Sequence, residues 1–275
     1  MSASLDTIAD WPVPSAAAAV VGPSGILASH GDTARVYRLA SVTKPLVARA
    51  AQVAVEEGVF DLDTAAGPPG STIRHLLAHA AGYSMQTAEI LAPPGARRIY
   101  SNYGFTVLAE SIARGSGIEA SRYLAEAVFE PLGMTASRLD DGAAAAGYGA
   151  VSTVADLALF AADLLHPRTV SVQMQVEATS VQFPGLAGVL PGFGMQRPND
   201  WGLGFEIRGS KSPHWTAAAN SPATFGHFGQ SGTFLWVDPT CDLALVVLTD
   251  RDFGEWAKPL WPAISGEVLR EFRAD

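Results

Sequence analysis

The sequence predicts an α+β, multi-layer fold. An antiparallel sheet is made by strands from both chain ends and flanked by helices, and a mostly helical subdomain is inserted between them. Three observations carry this reading. A strand–turn–strand pattern lies near the N-terminus, apolar strand-like runs lie near the C-terminus, and apolar residues between them recur at helical spacing. The chain has 275 residues, 48% of them hydrophobic, enough to bury one large core. We expect a single domain over 1–275. Residues of about 1–60 and 222–275 would build the sheet part, and about 61–221 the mostly helical insert with its pocket loops.

Taken in order, "AAAAVVGPSGILASHG" reads as two short strands around the turn Gly22-Pro23-Ser24-Gly25. Over 45–57, Leu46, Val47, Ala50, Ala51, Val53, Ala54 and Val55 give a broad apolar helix face, and Gly58 follows to end it. Further helices are expected over 72–81, closed by Gly82, and over 103–114, 118–130 and 153–165. The last has Ser152 or Thr153 as N-cap and Asp156 near the positive end of the dipole. Residues 171–222 are rich in Pro, Gly, Ser and Gln, so loops and short strands that shape a pocket are expected there. "TFGHFG", "TFLWVDP" and "DLALVVLTD" then read as consecutive antiparallel strands with a turn at Asp238-Pro239. A closing helix near 257–273 sets Leu260, Ile264, Val268, Leu269 and Phe272 on one side.

A net charge of −9 argues against nucleic acid and against an anionic membrane surface as partners. No stretch approaches the ~20 apolar residues of a membrane helix. The start, "MSASLDTIADWPVPSAAAAVV", carries Asp6 and Asp10 where a secretory leader would carry lysine or arginine. The lone Cys241 can form no internal disulfide, and the two features together point to the cytoplasm.

The chemistry begins at Ser41 and Lys44, three residues apart at the mouth of a helix, where the hydroxyl and the amine can approach hydrogen-bonding distance. A serine is a poor nucleophile until a base takes its proton, and a lysine is such a base only where burial or nearby cations lower its pKa. The helix start adds free N–H groups for a developing oxyanion. With 21 serines but three lysines, about 0.2 S-x-x-K matches arise by chance, so the motif alone is suggestive. Pro45 counts against it, because proline discourages helical dihedrals at Lys44. Tyr100 and Asn102 form Y-x-N, with a chance expectation of about 0.07. A phenol near a lysine can exist as phenolate or relay a proton, and an amide can hold a substrate carbonyl or the lysine. His227-Phe228-Gly229 on a late strand would present a polar group and, through Gly229, admit a substrate backbone, with Gln230 supplying a second oxyanion N–H. Two other chemistries fail. His75 and His79 lack the glutamate of H-E-x-x-H, whose place is Leu76, and Gly229 to Thr233 misses the last position of G-x-S-x-G.

In this order, S-x-x-K, Y-x-N and H-x-G form the set used by the penicillin-recognising serine hydrolases. The chain closely resembles their class C β-lactamase-related branch, which includes carboxylesterases and D-aminopeptidases. The resemblance covers about 16 to 270 and includes "STIRHLLAHAAGYS", "PPGARRIYSNYGF", "FEPLGM", "GAVSTVADLALF" and "WGLGF". It implies a β-lactamase/transpeptidase-like fold, a small-molecule ester or amide substrate, an acyl-enzyme, and no cofactor or metal. By resemblance Ser41 is the nucleophile, and Lys44 and Tyr100 form the general acid/base system. Asn102 contacts substrate or Lys44, His227 and Gly229 line the opposite wall, and the amides of Ser41 and Gln230 make the oxyanion hole. The family also tolerates proline after the motif lysine. Its β-lactamases and peptidoglycan peptidases usually carry Lys-Thr-Gly where this chain has His-Phe-Gly. That difference removes affinity for a substrate carboxylate and favours a carboxylesterase on a small neutral ester over a β-lactamase or a D-amino-acid peptidase. Arg251, just past the last strand, is a candidate replacement cation. A non-catalytic ligand sensor would have no need of Ser41, Lys44 and Tyr100 together.

Overall fold

The computed structural model describes residues 2–273. The main sheet contains β1 (Ala16–Gly22), β2 (Gly25–His30), β3 (Glu206–Ile207), β4 (Phe225–Gly229), β5 (Thr233–Asp238) and β6 (Leu243–Thr249). Their spatial order is β2-β1-β6-β5-β4-β3, with every neighbouring pair antiparallel. The register from Ala16 opposite Thr249 to Val21 opposite Ala244 joins the two chain ends in one sheet, as the sequence implies. Edge strand β3 comes from within 61–221 and sets Glu206 opposite Gly226.

Strand alternation sorts the apolar residues into two cores. Ala17, Ala19, Val21, Leu235, Val237, Val246 and Leu248 face one side, whereas Ala18, Val20, Phe234, Trp236, Leu245 and Val247 face the other. The central strands are therefore buried on both faces, which is why "LALVVL" is unbroken by polar residues. The first core is covered by α1 (Thr43–Glu56), α2 (Asn102–Ser116) and α3 (Val154–Leu165), and the second by α4 (Ala257–Phe272). Local chemistry sets the helix ends. Ser101 accepts the Gly104 N–H at the start of α2, and Gly117 closes it at φ +74°. Thr153 accepts the Asp156 N–H at the start of α3. No helix among the described residues is long and apolar enough to cross a membrane.

Two segments differ from the sequence reading. Over 72–81 only Ile73–Leu77 is α-helical. His79 takes a left-handed φ of +54°, because its ring accepts a backbone N–H from Ser101, and the chain turns off before Gly82. Residues 171–222 contain a helix, Val172–Thr179, begun by Ser171 accepting the Met174 N–H. The rest of that stretch forms the expected loops, a hairpin (Gly188–Leu190 with Gly194–Gln196) and β3.

One buried ion pair ties α1 to α3: Arg49 Nε lies 3.4 Å from Asp163 Oδ2, and both side chains are fully buried. Arg49 also donates to Gln175 Oε1 at 2.6 Å, while Asp163 accepts from the amides of Arg168 and Thr169 and from the Thr169 hydroxyl. Without its carboxylate the guanidinium keeps one acceptor; without the guanidinium the carboxylate keeps three donors. Asp163→Ala should therefore cost about 3–5 kcal/mol in urea unfolding, and Arg49→Met clearly less.

Candidate active site

Strand residues Tyr37 and Arg38 lead through Leu39 into a 3-10 turn, Ala40–Val42, that runs straight into α1. Ala40 holds φ +45°, a left-handed conformation that costs a non-glycine residue about 1–3 kcal/mol, directly before Ser41. Lys44 and Pro45 are both helical. Pro45 stands in the first turn, where its missing N–H would have found no helical acceptor, so it breaks no hydrogen bond.

Lys44 is completely buried. Its Nζ lies 2.5 Å from Asn102 Oδ1, 2.7 Å from the Gly147 carbonyl and 3.5 Å from Ser41 Oγ. The faces of Tyr100 and Phe105, at 4.5 and 5.4 Å, favour a cation there. That attraction is worth about 0.5–2 kcal/mol, less than the several kcal/mol that desolvating an ammonium costs. Burial accordingly holds the Lys44 pKa well below the ordinary lysine value. A neutral amine has two N–H bonds and one lone pair. The two carbonyl oxygens take the N–H groups, which leaves the lone pair for Ser41. Asn102 is oriented for this because its Nδ2 donates to Gln86 Oε1 at 3.3 Å. Gly147 packs so closely on Asn102 that a Cβ would come within 3.1 Å of its Cα.

Tyr100 and His227 close the other side. The His227 Nδ1–H donates to the Phe228 carbonyl at 2.6 Å, so Nε2 carries the lone pair and faces the Tyr100 hydroxyl at 3.4 Å. Burial pushes the His227 pKa down to about 3, which keeps the ring neutral. Burial also raises the Tyr100 pKa above the ordinary phenol value, against a hydrogen bond with Ser41 that lowers it. Burial thus shifts the resting pair toward a neutral amine and a protonated phenol and away from lysinium and phenolate.

His79 acts here in a way the sequence did not disclose. Its carbonyl accepts the Ile99 N–H at 2.9 Å and its Nδ1 accepts the Ser101 N–H at 3.1 Å, so one residue clamps the backbone on both sides of Tyr100. The His79 ring also packs on Tyr100, with centroids 4.6 Å apart. Burial holds its pKa well below normal, so Nδ1 remains an acceptor. His75 is engaged elsewhere, with its Nδ1 2.9 Å from the Thr72 hydroxyl and its ring against Phe183.

A cavity of about 70 Å3 opens over Ser41. Of the sequence-derived candidates, Ser41, Tyr100, His227 and Gln230 line it, joined by Phe228, Met85, Leu190, Pro191, Trp201 and Glu206. Asn102 instead stands behind Ser41 as a Lys44 partner. Gly229 is also outside the cavity lining: a Cβ there would lie 2.2 Å from the Leu39 carbonyl and 2.5 Å from Thr233 Oγ1. The glycine lets β4 close onto the turn that carries Ser41. Arg251 does not supply the missing cation; it bonds the Pro12 carbonyl and lies over Trp256, with 5.6 Å to the ring centroid. Glu206 is fully buried and meets Lys211 at 2.7 Å, His214 at 2.9 Å and the Trp215 indole N–H. Those donors outweigh desolvation and hold its pKa far below the usual carboxylate range. The sequence signal for this wall was a lone acid inside the apolar run "WGLGFEI".

The clamp yields a test. Asparagine can place an amide oxygen near the Nδ1 position and tolerates positive φ, whereas alanine does neither. Labelling of Ser41 by a fluorophosphonate should slow by about tenfold or more in His79→Ala and only a few-fold in His79→Asn, since small misplacement of a reacting group carries losses of that order.

The chain is similar to known proteins. A family model described as Beta-lactamase matches residues 9–266. The crystal structure of a beta-lactamase from Mycobacterium bovis is 72% identical, with a TM-score of 0.98, covering 98% of this chain and 100% of that one. EstCE1, a hydrolase with promiscuous acyltransferase activity, aligns at TM-score 0.78 and 17% identity over 96% of both chains. The octameric penicillin-binding protein homologue from Pyrococcus abyssi aligns at 0.75 and 20% over 96% of this chain and 75% of that one. The last two likenesses concern the fold alone. No curated protein matches the chain. With a two-core antiparallel sheet, a serine and a lysine at the mouth of one helix, and a family match over nearly its whole length, the chain belongs to the beta-lactamase family.

Proposed function

We propose that the protein is a serine hydrolase that works through an acyl-enzyme on Ser41, and that it is a carboxylesterase for esters with a small, uncharged acyl group. The observation that carries this is Lys44: buried, without a carboxylate partner, both N–H directions taken by carbonyls, and 3.5 Å from Ser41 Oγ. Lys44 takes the Ser41 proton as Oγ attacks the acyl carbon. The amides of Ser41 and Gln230 receive the negative oxygen, a type of contact worth about 2.7–4 kcal/mol of barrier per donor. The proton then passes from the Lys44 ammonium through the Tyr100 hydroxyl to the departing oxygen, and water repeats the sequence to free the acid. His227 accepts a hydrogen bond from Tyr100 and stays neutral.

Substrate class follows from the walls. At about 70 Å3 the cavity has room for only a few water-sized groups, so the acyl half is small. The lining supplies no cation, and Glu206 is ionised beside it, which disfavours an acyl half bearing a carboxylate. β-Lactam hydrolysis is the second reading, favoured by the 72% identical protein described as a beta-lactamase. The compartment consistent with a single unpaired cysteine is the cytoplasm.

The deciding experiment is an intact mass after fluorophosphonate treatment, in which one adduct should form and be absent from Ser41→Ala. No adduct would favour a ligand sensor. Comparing kcat/KM for p-nitrophenyl esters, a chromogenic cephalosporin and D-amino-acid amides should rank short esters first; a cephalosporin in first place would select the second reading.

The pH profile is a further test. Catalysis needs neutral Lys44, so kcat/KM should be full above the lowered Lys44 pKa and fall by about tenfold per unit below it. His227, with a pKa of about 3, should contribute no limb near 6.5, and the raised Tyr100 pKa should delay any alkaline loss beyond 10. A limb near 6.5 that disappears in His227→Gln would make the imidazole the base.

A further inference from the structure

A second groove, of about 500 Å3, opens beside the Ser41 cavity and shares Met85, Tyr100 and Pro191 with it. Its walls are largely apolar. Met85, Leu91, Val189 and Met195 line it and are each 44–53% exposed, which leaves large hydrophobic side chains uncovered around one depression. Exposed Arg97 and Arg197 also line it, and no aspartate or glutamate does. Among the described residues neither arginine belongs to an ion pair, in a chain of net charge −9. Arg98, also in the lining, is buried and already committed to the carbonyls of Ala78, Gln182 and Asn199.

We propose that this groove takes the alcohol half of the substrate, and that this half is a medium-length apolar chain with a carboxylate at its far end, held by Arg97 and Arg197. The proposal rests on the Ser41 acyl-enzyme reading and adds the substrate class to it. Two arguments give the direction. In the mechanism proposed above Tyr100 hands the proton to the leaving oxygen, so the leaving group departs on the Tyr100 side, and Tyr100 is a wall common to both spaces. The volumes, about 70 against about 500 Å3, assign the small acyl half to the first space and the larger half to the second. In the reaction, Ser41 Oγ forms the new acyl bond as the ester C–O bond breaks. The hydroxy-acid leaves with the proton from Tyr100, and water then releases the small acid.

The test compares hexyl acetate with 6-acetoxyhexanoate on the wild type and on a double variant, Arg97→Gln with Arg197→Gln, both exposed positions. The charged ester should be preferred by about tenfold in kcat/KM, mostly through KM, and the preference should vanish in the double variant and shrink with added salt. Equal or lower kcat/KM for the charged ester, or a preference that survives the double variant, would overturn the groove assignment while leaving ester hydrolysis intact. If neither ester is hydrolysed and Ser41 takes no fluorophosphonate, the acyl-enzyme reading fails instead. Binding of 6-hydroxyhexanoate by calorimetry then still reads the groove: heat present in the wild type and absent in the double variant upholds it, and no heat in the wild type overturns it.

Discussion

An amine kept out of water and offered only carbonyl oxygens is the constraint around which this molecule is arranged. Lys44 meets the side-chain oxygen of Asn102 and the main-chain oxygen of Gly147, which come from segments 58 and 103 residues away. A carboxylate in either place would restore the positive charge and remove the base. The nearby buried acid, Glu206, cannot do this, because its oxygens are occupied by Lys211, His214 and Trp215. The features around Lys44 read as supports for that arrangement: the cap that starts α2 at Ser101, the glycine at 147 that lets its carbonyl approach, and the fully buried face of α1.

The two buried lysines illustrate how far environment decides chemistry. Lys44 and Lys211 both lose hydration, and burial lowers the pKa of each. Lys211 faces the Glu206 carboxylate, so the charge of its partner opposes that shift and the pair acts as an ionic brace under the pocket wall. Lys44 has carbonyl oxygens and aromatic faces for company and is the candidate base for Ser41. Residue type alone could not separate these roles; spacing to Ser41 could, because three residues along a helix is a distance the sequence states directly.

What the sequence made legible is what local periodicity encodes. The hairpin around Pro23-Ser24, the doubly buried run of β6, the Thr153 cap and the S-x-x-K spacing all express themselves within a few residues. What it concealed depends on partners far along the chain. The turn at His79 is fixed by an N–H 22 positions later, so the apolar rhythm of "LLAHAA" suggested a helix that stops early. The helix Val172–Thr179 exposes Val172 and Val176, which blurs its apolar face, and only the Ser171 cap announced it. Gly229 was legible as a required glycine, but one reason for it, the Leu39 carbonyl 2.2 Å from a Cβ position, lies in the turn that leads to Ser41, 190 residues away in a segment the local pattern does not mention.

The pairing of β1 with β6 also bears on how the protein is made. Val20 finds its neighbour only when Leu245 has been synthesised, so the strand that precedes the nucleophile turn has no partner on its inner edge for most of translation. Such long-range closure slows folding and leaves an apolar strand waiting. It also means that a ribosome-bound chain cut short before its final strands lacks both the sheet and the His227 wall. Hydrolytic competence would thus arrive with the last part of the polypeptide, and truncated products would be inert.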